Sequence, residues 1–251
     1  MIILIKEERH EQILQIINRE GYIETEELAK MLNVTGMTIR RDITELEKEK
    51  QIIRVRGGVE SIQNNKKSEK TTKEKLTLNN ELKLQIAYKV DHIIENDQNV
   101  FLGAGTTINA LLPKLINKGL HLVTNNLEAF NYFVNNGEDV MLTGGKLHKV
   151  TGEFYGEVAI RSFENLLFDY AIGSTNGIYN QNVTTANTGE GHIQMEAFNH
   201  SKKIIIVADH TKFDESDMYT FINANKVDYL VTDNDISETL LKKYSKFYNI
   251  I

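Results

Sequence analysis

Apolar positions in the first fifty residues recur at helical spacing. From Lys6 to Arg19, Ile13, Leu14, Ile16 and Ile17 predict one helix, which Gly21 punctuates. Thr25 stands before Glu26, Glu27, Leu28 and Ala29, an N-cap threonine with acids in the first turn, and predicts a second, short helix closing by Asn33. Thr35 is the expected cap of a third, in which Ile39, Ile43 and Leu46 share a buried face while Thr38, Arg40 and Arg41 lie on others. Ile52-Ile53-Arg54-Val55-Arg56-Gly57-Gly58-Val59 then reads as a small hairpin turning at glycine. Three helices and a hairpin predict a winged helix-turn-helix over residues 1–60.

The pattern then breaks. Residues 61–80 are polar and poor in apolar anchors, with Gln63-Asn64-Asn65-Lys66-Lys67 the clearest case, and are expected to be a linker. Beyond it short apolar runs alternate with amphipathic stretches. The runs at Asn99–Leu102, His121–Val123, Val140–Leu142, Tyr170–Ile172, Ile204–Val207 and Tyr229–Val231 predict strands. That rhythm implies an α/β fold over residues 81–251, a Rossmann-like, mostly parallel sheet with crossover helices.

Composition narrows the function classes. Of 251 residues 41% are apolar, enough for real cores, and no run approaches the roughly 20 residues that cross a bilayer, so no membrane partner is expected. The opening Met-Ile-Ile-Leu-Ile is too short for a signal-peptide core and is followed at once by charged residues, so a cytoplasmic location is expected. The absence of cysteine excludes disulfides, thiolate metal sites and thiol nucleophiles. A net charge of −6 hides an asymmetry. Residues 1–75 hold 15 Lys and Arg against 14 Asp and Glu, leaving 14 against 21 for the rest, so the two parts carry +1 and −7. In the first part, positive charge gathers at Arg40, Arg41, Arg54, Arg56 and the lysines from Lys66 to Lys75.

Two groups of residues carry candidate chemistry. The third helix offers Thr35, Met37, Thr38, Arg40 and Arg41 within two turns, at the end where a major-groove helix meets base edges. An arginine fork matches guanine or two phosphate oxygens, and threonine suits a phosphate or a thymine methyl; alone, such an arginine pair is equally a solvated helix face. The second group follows the predicted strands: Gly103-Ala104-Gly105-Thr106-Thr107, Thr124-Asn125-Asn126, Thr143-Gly144-Gly145-Lys146, Gly173-Ser174-Thr175-Asn176-Gly177 and Asp209-His210-Thr211-Lys212. In a parallel sheet every strand ends on one edge, so these would converge in one crevice whose glycines, hydroxyls and helix amino ends suit a phosphate. Each cluster alone is equally a plain turn, and Gly103 to Thr107 lacks the lysine of a P-loop and the third glycine of a dinucleotide fingerprint.

With Arg9, Ile13 and Ile17, the stretch Val34-Thr35-Gly36-Met37-Thr38-Ile39-Arg40-Arg41-Asp42-Ile43 and the hairpin from Ile53 to Val59 resemble the recognition helix and wing of the DeoR family. The resemblance implies operator contacts from Thr35, Thr38, Arg40 and Arg41, and a phosphate held by Arg54 or Arg56. Asp42 is expected to orient Arg41 or a neighbouring backbone group. Lys83-Leu84-Gln85-Ile86-Ala87, Gly103 to Thr107, Thr124-Asn125, Gly144-Gly145, Gly156 and Ala208 to Phe213 resemble that family's sensor domain, similar in fold to ribose-5-phosphate isomerase and glucosamine-6-phosphate deaminase. This implies a phosphorylated sugar effector held by Gly103, Gly105, Thr106, Thr107, Thr124, Asn125, Gly144, Gly145, Asn176, Glu190, Asp209 and Lys212. Where many members carry a lysine upstream of the aspartate, this chain has Gln194. That departure, with Thr151-Gly152-Glu153-Phe154, resembles the lactose phosphotransferase repressor branch, implying a tagatose phosphate.

The expected function is therefore a transcription repressor released by a sugar phosphate, working as a homo-oligomer, dimer or tetramer, because one small head makes too few DNA contacts at cellular salt. Two other readings use the same residues. A sugar-phosphate isomerase or deaminase would need a positioned proton shuttle; Glu190, Asp209 and His192 are available, but no paired carboxylate or His–carboxylate spacing stands out. A scaffold module would use the glycines only as turns. No catalytic residue, cofactor or metal site is expected, the seven histidines being scattered without ligand spacing.

Overall fold

The computed structural model describes residues 6–20, 22–49, 51–55, 58–61 and 79–251, and the chain divides into two compact units, 1–70 and 71–251. In the first, α1 (Lys6–Glu20), β1 (Tyr22–Glu24), α2 (Thr25–Met31), α3 (Gly36–Lys48), β2 (Ile52–Val55) and β3 (Gly58–Ser61) follow in winged-helix order. The strands form an antiparallel sheet in the order β1-β3-β2. Ile13, Ile17, Leu28, Ile39, Ile43, Leu46 and Val59 interlock as its core, the helical face that the apolar spacing predicts. Thr25 begins α2 instead of capping it: Glu24 is the N-cap residue and makes no side-chain cap bond. Asn33, in left-handed conformation at φ 53°, turns the chain out of that helix.

The second unit is built on a six-stranded parallel sheet of β4 (Asn99–Leu102), β5 (His121–Thr124), β6 (Val140–Leu142), β9 (Phe168–Ser174), β12 (Ser201–Val207) and β14 (Tyr229–Val231). All six are strands that the apolar runs predict. β9 exceeds its run because ladder pairing with β12 continues to Phe168 and Ser174. The order β14-β12-β9-β4-β5-β6 reverses direction between β4 and β9, the doubly wound topology. Short polar strands escape an apolar-run reading: β7 (Lys146–His148) and β8 (Glu153–Tyr155) form a hairpin, and β10 (Gly177–Tyr179), β11 (Asn182–Thr185) and β13 (Tyr219–Asn223) a small antiparallel sheet.

The strands read as unbroken apolar runs because both faces are covered. Val100, Leu102, Leu122, Ile172, Ile205 and Val207 point to the side of α4 (Asn80–Ile93), α5 (Thr106–Leu115) and α6 (Leu127–Asn135). Their neighbours Phe101, Val123, Ala171, Ile204 and Ile206 point to the other, against α7 (Glu157–Arg161), α8 (Thr188–Asn199) and α9 (Glu238–Tyr244). Among the described residues no helix is long and apolar enough to cross a membrane.

Candidate functional site

At the start of α3, the Thr35 hydroxyl accepts from Thr38 N at 3.2 Å and lies 2.9 Å from the Thr38 hydroxyl, closing the first turn. No acidic residue stands in that turn, so nothing there opposes an approaching anion. Met37, 69% exposed, and exposed Arg40 and Arg41 face outward. Asp42 is the exception to the expectation. It is buried, and receives Arg9 Nε at 2.6 Å, Arg9 Nη2 at 3.0 Å and His10 Nε2 at 3.3 Å. Its partner is therefore α1, because it lies beside Ile39 and Ile43 on the inward face while Arg41 points away. Arg54 is exposed on β2; Arg56 lies outside the described residues.

In the second unit all five strand-end clusters fall on the carboxyl edge of the parallel sheet. From β12 to β6 that edge covers four strand spacings, about 19 Å at the usual inter-strand distance, so one small anion cannot meet them all. The topological reversal selects among them. Gly103 to Thr107 follow β4, and Ser174 to Asn176 close β9, on either side of the switch point. There Gly103 N donates to Ile172 O at 2.9 Å, the Ser174 hydroxyl to Ala104 O at 2.7 Å, and Ser174 N to Gln194 Oε1 at 3.1 Å. Gly105 sits at φ +133°, and a Cβ added to it would lie 2.4 Å from Ser174 Oγ.

Among the described residues, three α-helices of this unit, α4, α5 and α7, begin without a side-chain cap bond, and of these α5 begins at the switch point. α6 is capped by Asn126, the 3-10 turn after β12 by Asp209 and α9 by Ser237. α5 has Gly105 at its N-cap and no side-chain cap bond, so its first amide hydrogens and the Thr106 and Thr107 side chains stand at the switch point.

Other expected contact residues also take part in the fold's own hydrogen bonds and turns. Thr124 is fully buried; its hydroxyl donates to Leu102 O at 2.7 Å and accepts from Asn126 N at 3.0 Å, tying β5 to β4. Asn125, equally buried, gives Nδ2 to Phe154 O at 3.1 Å. Gly145, at φ +101°, would bring a Cβ within 2.6 Å of Tyr155 O, and Gly144 shares the positive φ of this turn. Asp209 accepts from the Thr211 amide at 3.1 Å and the Thr211 hydroxyl, and from Asn79 Nδ2 at 3.5 Å. Asn176 donates to Asp217 at 3.0 Å. Lys212 is half-buried in the turn that Asp209 caps. Glu190, in the first turn of α8, accepts from the Thr185 hydroxyl at 2.6 Å.

Several residues come together that spacing could not pair. Asp233, fully buried, accepts the His210 amide at 2.7 Å and lies 2.8 Å from His210 Nδ1. Burial pushes its carboxyl upward, but the His210 amide and ring and the Asp235 amide outweigh it and hold the group below the ordinary value. Lys83, a landmark of α4, is a buried lysine. His148, Glu153 and Glu190 bring their ligand atoms within 4.8 Å of one another. A groove of about 570 Å³ opens elsewhere, at the amino ends of β4, β5, β6 and β9, where Asn99, His121, Asp139 and Phe168 line it.

Two family profiles match the chain: the DeoR-like helix-turn-helix domain over residues 9–65 and the DeoR C terminal sensor domain over residues 78–234. The chain is 33% identical over 251 residues to the lactose phosphotransferase system repressor of Lactococcus lactis subsp. lactis, with 98% of each chain covered. It is 31% identical over 249 residues to the protein of the same name from Streptococcus mutans serotype c, covering 98% of this chain and 99% of that one. Among solved structures, ribose 5 phosphate isomerase A from Neisseria gonorrhoeae aligns with a TM-score of 0.42 at 17% identity over 56% of both chains. The eIF2B delta of Chaetomium thermophilum aligns at 0.44 and 14%, over 60% of this chain and 56% of that one.

Proposed function

The chain belongs to the DeoR family, and from that premise we propose that it is a transcription repressor of a sugar-utilisation operon, released from its operator by a phosphorylated sugar. The observation that carries the reading is the outward amino-terminal face of α3, where Met37 is exposed on a first turn free of acids and Arg40 and Arg41 are exposed on the turn after it. Thr35 and Thr38 meet the operator beside Arg40 and Arg41, which read guanine edges or grip phosphates, and Arg54 or Arg56 holds a phosphate from the wing. The head is residues 1–60, the linker 61–80 and the sensor 81–251.

The effector phosphate sits at the amino end of α5, cradled by Gly103, Gly105, Thr106 and Thr107. Support comes from the missing side-chain cap and from the position at the switch point. Asn176, Glu190 and Lys212 lie on neighbouring elements and contact the sugar, while Thr124, Asn125, Gly144, Gly145 and Asp209 shape the walls. The names of the relatives point to lactose utilisation, and a tagatose phosphate is the effector to test first. The protein acts in the cytoplasm as a homo-oligomer, either dimer or tetramer, whose paired heads occupy successive major grooves. It is not an enzyme: the sugar phosphate is sensed and returned unchanged.

The test is selection of duplexes from random DNA by the purified full chain, repeated with tagatose, ribose and glucosamine phosphates. A shared motif should emerge, one sugar phosphate should release it, and that compound should be recovered intact. No preference over competitor DNA, even at low ionic strength, overturns the proposal.

A further inference from the structure

We propose that His148, Glu153 and Glu190 form a binding site for one divalent cation of the Zn²⁺ or Mn²⁺ class in the α/β unit. His148 and Glu153 are opposite one another in the antiparallel ladder of β7 and β8, which places their side chains on one face of the hairpin. Glu190, which the proposed function also sets against the sugar so that ion and sugar would share its carboxylate, reaches the same place from the first turn of α8, whose Gly189 packs against the Tyr155 ring. All three ligand atoms lie within 4.8 Å of one another. Ligands sharing such an ion, held at about 2.0–2.2 Å, are at most about 4.4 Å apart, a difference that rotation of the glutamate side chains closes.

Charge argues in the same direction. Glu153 and Glu190 are only 5% and 6% exposed, so two anionic oxygen donors are held largely out of water beside the imidazole. The donor set, one imidazole and two carboxylates in a chain without cysteine, suits Zn²⁺ or Mn²⁺. The surroundings orient it. Thr151 Oγ1 lies 2.8 Å from His148 Nδ1, directing Nε2 toward a metal, and the Thr185 hydroxyl donates to Glu190 Oε2 at 2.6 Å.

Asn125 is bonded to the strand that carries Glu153. It is bound to Phe154, the residue after Glu153, through Phe154 N to Asn125 O at 2.7 Å and through its own Nδ2. Its buried Oδ1 has no hydrogen-bond partner among the described residues.

The site is tested on the full chain, stripped with chelator, in phosphate-free buffer and with no sugar phosphate present, so the outcome does not depend on the effector reading. Zn²⁺ is followed by equilibrium dialysis and Mn²⁺ by loss of the free-ion electron paramagnetic resonance signal. The wild type should take up one ion per chain. Glu153→Gln and His148→Ala should each weaken binding at least tenfold, and Thr151→Val, which removes the hydroxyl partner of the imidazole, should also weaken it. Exposed His92 serves as control, and His92→Ala should bind like the wild type. Urea midpoints without metal identify any variant that has simply unfolded; Glu153→Gln, nearly isosteric, is the decisive one. Uptake of neither ion, uptake unchanged in Glu153→Gln, or uptake lost in His92→Ala overturns the proposal.

Discussion

Arg9 of the first helix and Asp42 of the third meet side by side, Nε to Oδ2 at 2.6 Å and Nη2 to Oδ1 at 3.0 Å, with both side chains largely withdrawn from water. This two-point pair fixes the rotation of α3 about its own axis, and so decides which residues face outward. Asp42→Ala leaves the arginine without its carboxylate and should lower the stability of the head by about 3 kcal/mol. Urea unfolding followed by helical dichroism checks the loss. A change under a few tenths of a kcal/mol would mean that the apolar core alone sets the rotation.

Arg41 tests the division of labour between the units. Arg41→Ala removes an exposed side chain with no core contact, so stability should stay within about 0.5 kcal/mol. Operator affinity should fall by about 1–3 kcal/mol if the residue reads a base. Gel shifts at several salt concentrations separate a base reader from a phosphate contact, because only the latter flattens the salt slope. Thermal stabilisation by the effector should be unchanged.

Gly105 gives the converse result. Its φ of +133° and the 2.4 Å approach to Ser174 Oγ leave no room for a side chain. Gly105→Val should displace Ser174 and the start of α5, reducing effector affinity by at least tenfold. Operator binding should survive but no longer respond to the sugar phosphate. Calorimetric titration with the effector and a gel shift on the same sample read both outcomes.

Asp233 provides a signature in pH. Its folded carboxyl is held below the ordinary 3.8. The ionised form therefore contributes stability that is fully present above the unfolded carboxylate range and is lost as pH falls through the lowered folded value. Urea midpoints of the wild type should drop on acidification below about pH 4, and Asp233→Asn should remove part of that slope while being less stable at neutral pH. Equal slopes in both proteins would show that other carboxylates govern acid unfolding.

Periodicity alone determined much of this protein. The helical repeats of Ile13 to Leu46 and the six apolar runs from Asn99 to Val231 predict the helices and the parallel strands, because burying one helix face or both sheet faces leaves a local imprint. Candidate chemistry at strand ends was equally legible, since a parallel sheet puts every such end on one edge. Tertiary structure alone decided what those residues do. Thr124, Asn125 and Asp209 stand at strand ends in the chain and in the fold also tie neighbouring segments together by hydrogen bonds, while Gly105 stands at an uncapped helix beside the reversal of strand order. The partnerships Arg9–Asp42, His210–Asp233 and His148–Glu153–Glu190 join separate elements. A spacing rule reaches across one turn of helix or one step of strand, whereas these contacts exist only once the packed layers have brought distant segments together.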